Sequence, residues 1–264
     1  MIVYLTGAIN RWTEQVAHHY QIGMMITPDT NGYRTKIPAY PYWATDNACF
    51  NHPETFSLSK YLGWLKDLQQ YPLCLFAPAP DVVGNAALTW ERSANVLPQI
   101  RALNYPAALV AQDGIEYLSI PWDEFDVLFI GGSTEWKLSP AVEELINMAH
   151  AQGKHIHMGR VNSEKRLRLA NRWGCQTADG TLLAFGPKVH LPRLCGWLDR
   201  MVQEERIQCA STWPDPSLAV RRPPRALGVS RLAPTWSPWD ITSLIQCGST
   251  SEEMRSDTGT ILLK

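Results

Sequence analysis

The residues with the clearest chemical potential follow short runs of β-forming residues. Each of five such runs ends in, or leads to, a carboxylate, an amide or a glycine pair: Asp46 in ATDNACF, Asp81 in APAPDVVG, Gln112 and Asp113 in LVAQDG, Gly131 and Gly132 in FIGGST, and Asp179 in GCQTADGT. An aspartate after a strand is usually a turn former or a helix N-cap. Several of these groups at the carboxyl ends of strands in one barrel indicate an active site instead.

Carboxylates, an amide and a glycine pair at one barrel mouth are suited to a displacement reaction at a glycosidic carbon. That reaction passes through an oxocarbenium-like state and uses one carboxylate as nucleophile and a second as acid and base. A flat heterocycle that is exchanged there needs hydrogen-bonding groups at its edge and an aromatic ring against its face. Gln112, the backbone of Gly132 and the ring of Phe50 are candidates for these roles.

The first 208 residues alternate between β-rich runs and longer stretches, several with helical periodicity. Eight β-rich runs are found, at 2–8, 23–27, 42–46, 73–80, 107–112, 126–132, 155–159 and 175–179. Six helices are predicted, near 11–20, 57–70, 86–103, 138–152, 163–173 and 191–207. Strands separated by helices predict a parallel sheet. Eight of them favour a closed, compact (β/α)8 barrel of the TIM type over a doubly wound open sheet, although such barrels typically need ~250 residues.

The amino-acid composition changes after residue 208. The stretch STWPDPSLAVRRPPRALGVSRLAPTWSPWD contains six prolines and four arginines. Proline at that density is incompatible with regular helix or a central strand. We therefore expect a barrel over residues 1–208 and an extended or partly disordered tail over 209–264.

Bulk composition narrows the class of protein. The chain has 264 residues, 45% of them apolar and 19% charged, with a net charge of −1. That balance gives no global basic signature for nucleic acid, so any such contact must come from a local patch. No apolar run is long enough for a membrane span. The N-terminus reads as a first strand rather than a secretion signal. Six scattered cysteines without a CxxC pair indicate reduced thiols, and we expect a cytoplasmic protein.

The ordered set TDNACF, PDVVG, AQDG, GGSTEWKL, MGRVNSEKRLRLA and GCQTADGT resembles the tRNA-guanine transglycosylase superfamily. It is most similar to the phage-type branch thought to place 7-deazaguanines into DNA, and the resemblance covers roughly residues 1–200. It implies a (β/α)8 barrel that exchanges a guanine in a polynucleotide for a deazaguanine, without strand cleavage and without ATP. No cofactor is expected. The implied partners are the 7-deazaguanine base and a polynucleotide, with DNA favoured and tRNA possible.

The resemblance also implies roles for individual residues. Asp179 matches the nucleophile that attacks C1′ of the nucleotide, and Asp46 matches the general acid/base of the family's TDSGG[FY] motif. Five other residues match positions that hold the base: Phe50 stacks on its face, Asp81 and Gln112 hydrogen-bond it, and Gly131 and Gly132 read its edge through their backbone.

The sequence departs from the family pattern at two places. Ala48 and Cys49 replace two glycines of the TDSGG motif, which would reshape the pocket. The members that act on tRNA also carry a structural zinc after the nucleophile strand. Here the cysteines and the histidine of that region have no ligand-like spacing, so we predict no metal, and the tRNA alternative is weakened.

A basic cluster precedes Asp179. Arg160 comes first, and Lys165, Arg168 and Arg172 share one face of a predicted helix. These four residues are the candidates for phosphate contacts, the alternative being an ordinary solvated helix face. If the substrate is duplex DNA, the target guanosine must be flipped out to reach a barrel mouth.

Two other classes of function remain open. His155 and His157 lie on one face of a strand and, with Asp179, resemble the ligands of a metal-dependent barrel hydrolase, although polar residues at a strand start are the simpler interpretation. The second alternative is a barrel that binds base or nucleic acid without chemistry, as an accessory to another protein. The oligomeric state is not predicted.

Overall fold

A computed structural model of the chain describes residues 2–49 and 56–212. Eight strands form one sheet, and each coincides with one of the predicted β-rich runs. Their bounds are β1 Val3–Thr6, β2 Ile22–Ile26, β3 Trp43–Thr45, β4 Ala77–Pro78, β5 Ala107–Ala111, β6 Val127–Ile130, β7 His155–Met158 and β8 Thr177–Asp179.

The strands are parallel and run in the order β3-β2-β1-β8-β7-β6-β5-β4. The two ends of that order meet, because the Leu75 amide donates to the Trp43 carbonyl at 2.7 Å and the Thr45 amide donates to the Phe76 carbonyl at 3.1 Å. These bonds close the sheet, so neither β3 nor β4 is left as an open edge. The predicted (β/α)8 barrel is confirmed.

Helices connect the strands on the outside of the barrel. Their bounds are α1 Arg11–Tyr20, α2 Tyr33–Lys36, α3 Leu58–Leu68, α4 Ala86–Ser93, α5 Leu97–Ala102, α6 Thr134–Lys137, α7 Pro140–Ala151, α8 Glu164–Arg172 and α9 Pro187–Thr212. The Ser163 hydroxyl accepts from the Arg166 amide at the start of α8, and Gly174 follows the end of α8 with φ of +79°. Both helix limits agree with the sequence prediction.

The predicted helix over 86–103 is wrong in its continuity. It is two helices, α4 and α5, with Pro98 in the first turn of the second. Proline has no amide hydrogen and starts a helix readily, but it interrupts one that is already running. Pro140 acts in the same way on α7, which begins two residues after Leu138. Leu138, which the predicted helix over 138–152 included, therefore lies outside α7 and is 39% exposed.

The last helix is longer than predicted, since α9 runs past residue 208 to Thr212. The rest of the predicted tail lies outside the described residues. The segment 28–41, in which none of the six predicted helices lies, contains the short helix α2. Among the described helices, none combines the length and the apolar character that a membrane crossing requires.

Side chains alternate between the two faces of the barrel wall, as strand geometry requires. On β7, Ile156 and Met158 belong to the core between wall and helices, so His155 and His157 point to the barrel interior. On β8, Ala178 faces the helices, and Thr177 and Asp179 face the interior. The interior between β7 and β8 is therefore polar, and it leads to the carboxyl end of β8.

Candidate active site at the carboxyl end of the barrel

A cavity of about 250 Å³ lies at the carboxyl ends of the strands. Six of the predicted site residues line it: Asp46, Asp81, Gln112, Gly131, Arg160 and Asp179. Typical small-molecule pockets occupy ~300–1,000 Å³, so this one suits a single heterocycle better than a whole nucleotide. Phe50, the predicted stacking residue, lies outside the described residues.

Asp179 ends β8, and its side chain is 18% exposed in the cavity wall. Its Oδ1 atom lies 3.0 Å from His157 Nε2 and accepts the Arg160 amide at 3.2 Å. Among the described residues, Oδ2 has no hydrogen-bond partner. One oxygen of the carboxylate is therefore anchored by two donors while the other retains its full capacity to react with a bound molecule.

The turn after Asp179 is held rigidly. The Asn162 side-chain oxygen accepts the amides of Thr181 at 2.7 Å and Leu182 at 3.1 Å. A Cβ atom on Gly180 would overlap the hydroxyl of Tyr4 and lie 2.7 Å from the Val161 carbonyl oxygen. Only glycine fits at position 180, because the backbone there lies directly against β1 at Tyr4 and against the loop at 161–162.

Asp46 follows β3 and is half-buried. Its Oδ1 accepts the Ala48 amide at 2.8 Å, and no other hydrogen bond to the carboxylate occurs within the described part of the chain. Burial raises the pKa of Asp46 from 3.8 to about 6, helped by the negative charges of Asp179 and Asp81. A carboxyl group with that pKa exchanges a proton readily near neutral pH.

The Ala48 backbone adopts the left-handed conformation, with φ of +59°. This is the first of the two positions at which the resemblance expects glycine. An L-residue with a Cβ atom is strained in that conformation by roughly 1–2 kcal/mol. The backbone thus takes the glycine-like shape without glycine, and in that shape the Ala48 amide reaches Asp46.

Asp81 is buried within a polar network on the β3–β5 side of the cavity. Its Oδ1 accepts from the Asn47 side-chain amide at 3.0 Å, and its Oδ2 accepts from Gln112 Nε2 at 2.7 Å. The Gln112 oxygen accepts the Gly84 amide at 2.9 Å, which fixes the orientation of the Gln112 amide. The carboxylate oxygens keep spare lone pairs and Gln112 Nε2 keeps one hydrogen, so this edge offers acceptors next to a donor.

The glycine pair after β6 is placed differently from the expectation. The amides of Gly131 and Gly132 both donate to the Ala111 carbonyl, at 2.9 and 3.1 Å, so neither is directed to a ligand. Their carbonyl oxygens accept from the Arg160 guanidinium. Gly131 lines the cavity, whereas a Cβ atom on Gly132 would overlap the Trp136 ring. The requirement for glycine at position 132 is therefore one of packing.

The predicted basic cluster is divided between two places. Arg160 lies in the cavity wall, with φ of +58°, and its backbone and side chain both contact site residues. On α8, Arg168 forms ion pairs with Glu164 at 3.1 Å and with Glu204 of α9. Lys165 and Arg172 are exposed on the same helix. Two glutamates thus neutralise the middle of the predicted cationic stripe.

The histidine pair is fully inside the barrel. His155 Nε2 and His157 Nδ1 each lie 2.9 Å from the Thr177 hydroxyl, and His157 Nε2 faces Asp179. In the part of the chain that the structure describes, no three His, Cys, Asp or Glu side chains are arranged to hold a metal. What the structure shows at the two histidines is a chain of hydrogen bonds, through Thr177, that leads to Asp179.

Lys137 is a buried cation behind the Asp179 turn. Its ammonium group donates to the Gly159 carbonyl at 2.7 Å, and the side chain comes from α6 in the GGSTEWKL segment. Burial and, to a smaller extent, the nearby charge of Arg160 together lower the pKa of Lys137 from 10.5 to about 7, although the charge of Asp179 opposes the shift. Asp113 has a different task from Asp179, because it accepts from both the amide and the hydroxyl of Ser133 at the start of α6.

Sequence reasoning missed three functional candidates. Asn47, inside the TDNACF segment, holds Asp81, and Lys137 holds the loop that follows β7 through the carbonyl of Gly159. Thr177 links the two histidines. The available signal was the spacing of two residues in His-Ile-His and Thr-Ala-Asp, which places each pair on one face of a strand.

No protein-family model matches the chain, and no curated protein matches it. Among solved structures, a crystal structure of 3-hexulose-6-phosphate synthase aligns over 75% of this chain and 99% of its own, with 8% identity and a TM-score of 0.47. A similarity of that size carries no argument about activity. The barrel assignment rests on the strand order and its closure, and the resemblance to guanine transglycosylases stays a prediction.

Proposed function

We propose that this protein is a base-exchange transglycosylase. It would replace a guanine in a polynucleotide, DNA being favoured, with a 7-deazaguanine through a covalent bond between Asp179 and the nucleotide. The observation that carries the proposal is the state of the two carboxylates. Among the residues that the structure describes, Asp179 has one anchored oxygen and one without a hydrogen-bond partner, and Asp46, with a pKa raised to about 6, lines the same cavity.

The first half of the reaction uses both carboxyl groups. Asp179 Oδ2 attacks C1′ of the target nucleotide, and the C1′–N9 bond breaks with its electron pair passing to the guanine. Protonated Asp46 gives its proton to the leaving N9 atom. The products are an Asp179 ester of the sugar, neutral guanine and an ionised Asp46. A carboxylate nucleophile and a second carboxyl group that can give a proton are the arrangement that displacement at a glycosidic carbon requires.

The second half reverses these steps with a different base. The incoming 7-deazaguanine loses its N9 proton to Asp46, N9 attacks C1′, and the ester bond breaks with its electron pair returning to Asp179. Both carboxyl groups are restored to their starting states, so the cycle needs no cofactor or energy source. The edge of guanine carries N–H groups that can donate to Asp81 and a carbonyl oxygen that can accept from Gln112, and 7-deazaguanine has the same edge. The β3–β5 network is therefore suited to hold the leaving base and the incoming one.

The rival metal-dependent hydrolase has less support. Its two candidate imidazoles have three ring nitrogens engaged by Thr177 and Asp179, which leaves little of the pair open to a metal ion. No specific contact in the described residues favours the accessory-barrel alternative.

A base-exchange assay tests the proposal. The protein is incubated with labelled guanine or labelled 7-deazaguanine and, separately, with duplex DNA, single-stranded DNA and tRNA. We expect label in DNA with the wild type, none with Asp179→Asn, and normal transfer with Asp123→Asn, an exposed carboxylate on the barrel surface. Label in tRNA alone would keep the chemistry and overturn the substrate. No label in any polymer, or wild-type transfer by Asp179→Asn, would overturn the proposed mechanism.

A further inference from the structure

A line of hydrogen-bonded side chains runs through the barrel interior and ends on Asp179. It consists of His155, Thr177, His157 and Asp179, and its three contacts measure 2.9, 2.9 and 3.0 Å. Parallel pairing of β7 with β8 places His157 beside Thr177, and the alternation of each strand places the other two members next along the same face. His155, His157 and Thr177 are all at most 5% exposed.

The Thr177 hydroxyl restricts which protons this line can hold. The group has one hydrogen, and a ring nitrogen lies on each side of it, so it donates to one histidine and accepts from the other. Asp179 Oδ1 already accepts the Arg160 amide, and an ionised carboxylate only accepts, so His157 donates from Nε2. When His157 is neutral, its Nδ1 then accepts from Thr177, and Thr177 accepts from His155 Nε2.

The surroundings of His157 favour that neutral form. The ring stacks on Phe129 at 4.4 Å between centroids and lies 4.8 Å from Phe76. Burial lowers its pKa first of all, and the Lys137 cation also lowers it, while Asp179 acts in the opposite direction. His155 lies on the other side of Thr177, and burial lowers its pKa to about 3. Within the described ranges these are the titratable groups that face the ring, and among them only Asp179 favours a charge on it.

We propose that His157, oriented by Thr177, is the positioning residue that prepares Asp179 for nucleophilic attack. A neutral donor anchors Oδ1 and leaves the negative charge of the carboxylate uncompensated, whereas an imidazolium would form an ion pair and weaken the nucleophile. After Oδ2 has bonded to C1′, Oδ1 is the carbonyl oxygen of the ester and keeps the same two donors. When the incoming base displaces the ester, those donors receive the restored carboxylate. This inference rests on the proposed function.

Two pairs of variants test the role by activity. Thr177→Val removes the hydroxyl at nearly constant volume and frees the His157 ring to turn, and Thr177→Ser restores the hydroxyl. His157→Leu removes the donor, and His157→Gln retains an amide nitrogen near the position of Nε2. We expect the single-turnover rate of adduct formation to fall about 10–100-fold in Thr177→Val and further in His157→Leu, since an anchored group loses its partner. Serine and glutamine should recover part of that loss, and the KM for the base should change little.

The tautomer of His157 gives a readout that does not depend on activity. Because burial lowers the pKa of His157 below its usual 6.5, nitrogen-15 NMR of the wild type should show a protonated Nε2 and an unprotonated, hydrogen-bonded Nδ1 on this ring at neutral and mildly alkaline pH. Thr177→Val should shift the Nδ1 signal, with the melting temperature of each variant recorded as the check on folding. An Nδ1-protonated ring or an imidazolium in that range would overturn the inference, as would full activity in Thr177→Val with altered NMR signals. If the wild type shows the expected tautomer but exchanges no base, the proposed function fails and the assigned donor arrangement stands.

Discussion

The two sides of the barrel mouth treat their carboxylates in different ways. On the β7–β8 side, three buried side chains lead to a single oxygen of Asp179 and stop there, so its other oxygen stays available. On the β3–β5 side, Asn47, Asp81 and Gln112 bond to one another and to the backbone, so both oxygens of Asp81 are held. The first arrangement suits a group that reacts, and the second suits a rigid surface that recognises a base.

Asp46 is the exception that connects the two sides. It lies on the β3–β5 side, and yet its carboxylate accepts only the Ala48 amide in the part of the chain that the structure describes. Its raised pKa reflects burial and the charges of both Asp179 and Asp81. The number of anchored oxygens, rather than residue type, therefore distinguishes Asp46 and Asp179, which we propose to react, from Asp81, which we propose to bind the base. Four substitutions can test this division between carboxylates that react and a carboxylate that binds.

Asp46→Asn should break the division most strongly. We expect exchange to fall by about 10²–10⁴-fold, because an amide can neither give nor take the N9 proton. The folded protein binds the Asp46 proton more tightly than the unfolded chain does, since the pKa is raised from 3.8 to about 6. The wild type therefore loses stability as the pH rises through that interval, and the uncharged variant does not.

Asp46→Asn should accordingly be more stable than the wild type by about 1–3 kcal/mol above about pH 6, with the difference vanishing near about pH 3. Urea unfolding at several pH values measures the stability, and the exchange assay measures the activity. Equal stability at all pH values would contradict the assigned pKa, and retained exchange would contradict the proton transfer.

Gln112→Leu should disturb recognition and spare the nucleophile. The change removes the donor to Asp81 Oδ2 and the acceptor of the Gly84 amide, and unpartnered polar groups cost about 1–3 kcal/mol each. We expect kcat/KM for the incoming base to fall about 10–100-fold, mostly through KM. Exchange measured over a range of base concentrations separates the two constants. A fall in kcat at constant KM would show that the two sides do not divide recognition from chemistry.

Gly180→Ala should test the rigidity of the β7–β8 side. The added methyl group has no room between the Tyr4 hydroxyl, the Asn162 side chain and the Val161 carbonyl. We expect a loss of about 1–3 kcal/mol in the free energy of unfolding, with exchange reduced because the Asp179 turn must shift. Thermal unfolding gives the stability, and Gly63→Ala serves as the control, since open space surrounds that position. Equal losses in the two variants would argue against a tightly packed turn.

Ala48→Gly should have the smallest effect and the opposite sign. At a φ of +59°, glycine relieves the strain that alanine carries, and we expect a gain of about 1 kcal/mol or less, because the unfolded chain gains freedom as well. The Ala48 amide would still reach Asp46, so exchange should change by less than about threefold. Denaturant unfolding compares the two proteins. A loss of stability would mean that the Ala48 methyl group makes packing contacts that outweigh its strain.

Much of the architecture was predictable from the sequence, because its signals are local. The eight strands follow from β-rich runs bounded by turn residues, and the limits of α8 follow from Ser163 and Gly174. The same runs indicate that Asp46, Gln112 and Asp179 lie at strand ends, and parallel strands bring those ends to one mouth of a barrel. Local patterns also misled where proline divides α4 from α5 and where Leu138 precedes α7.

The tertiary structure alone decided what each of those side chains does. Asp113 and Asp179 both follow strands, but Asp113 serves Ser133 at the start of α6 while Asp179 ends the histidine line. Arg168 is of a residue type that commonly binds phosphate, but here it forms ion pairs with Glu164 and with Glu204 of α9. Apart from the Arg168–Glu164 pair, which lies within α8, the contacts that separate these outcomes join residues 20 to 36 positions apart. They depend on strand register and helix packing, which no short stretch of sequence encodes, because each is set by the burial of the whole apolar wall.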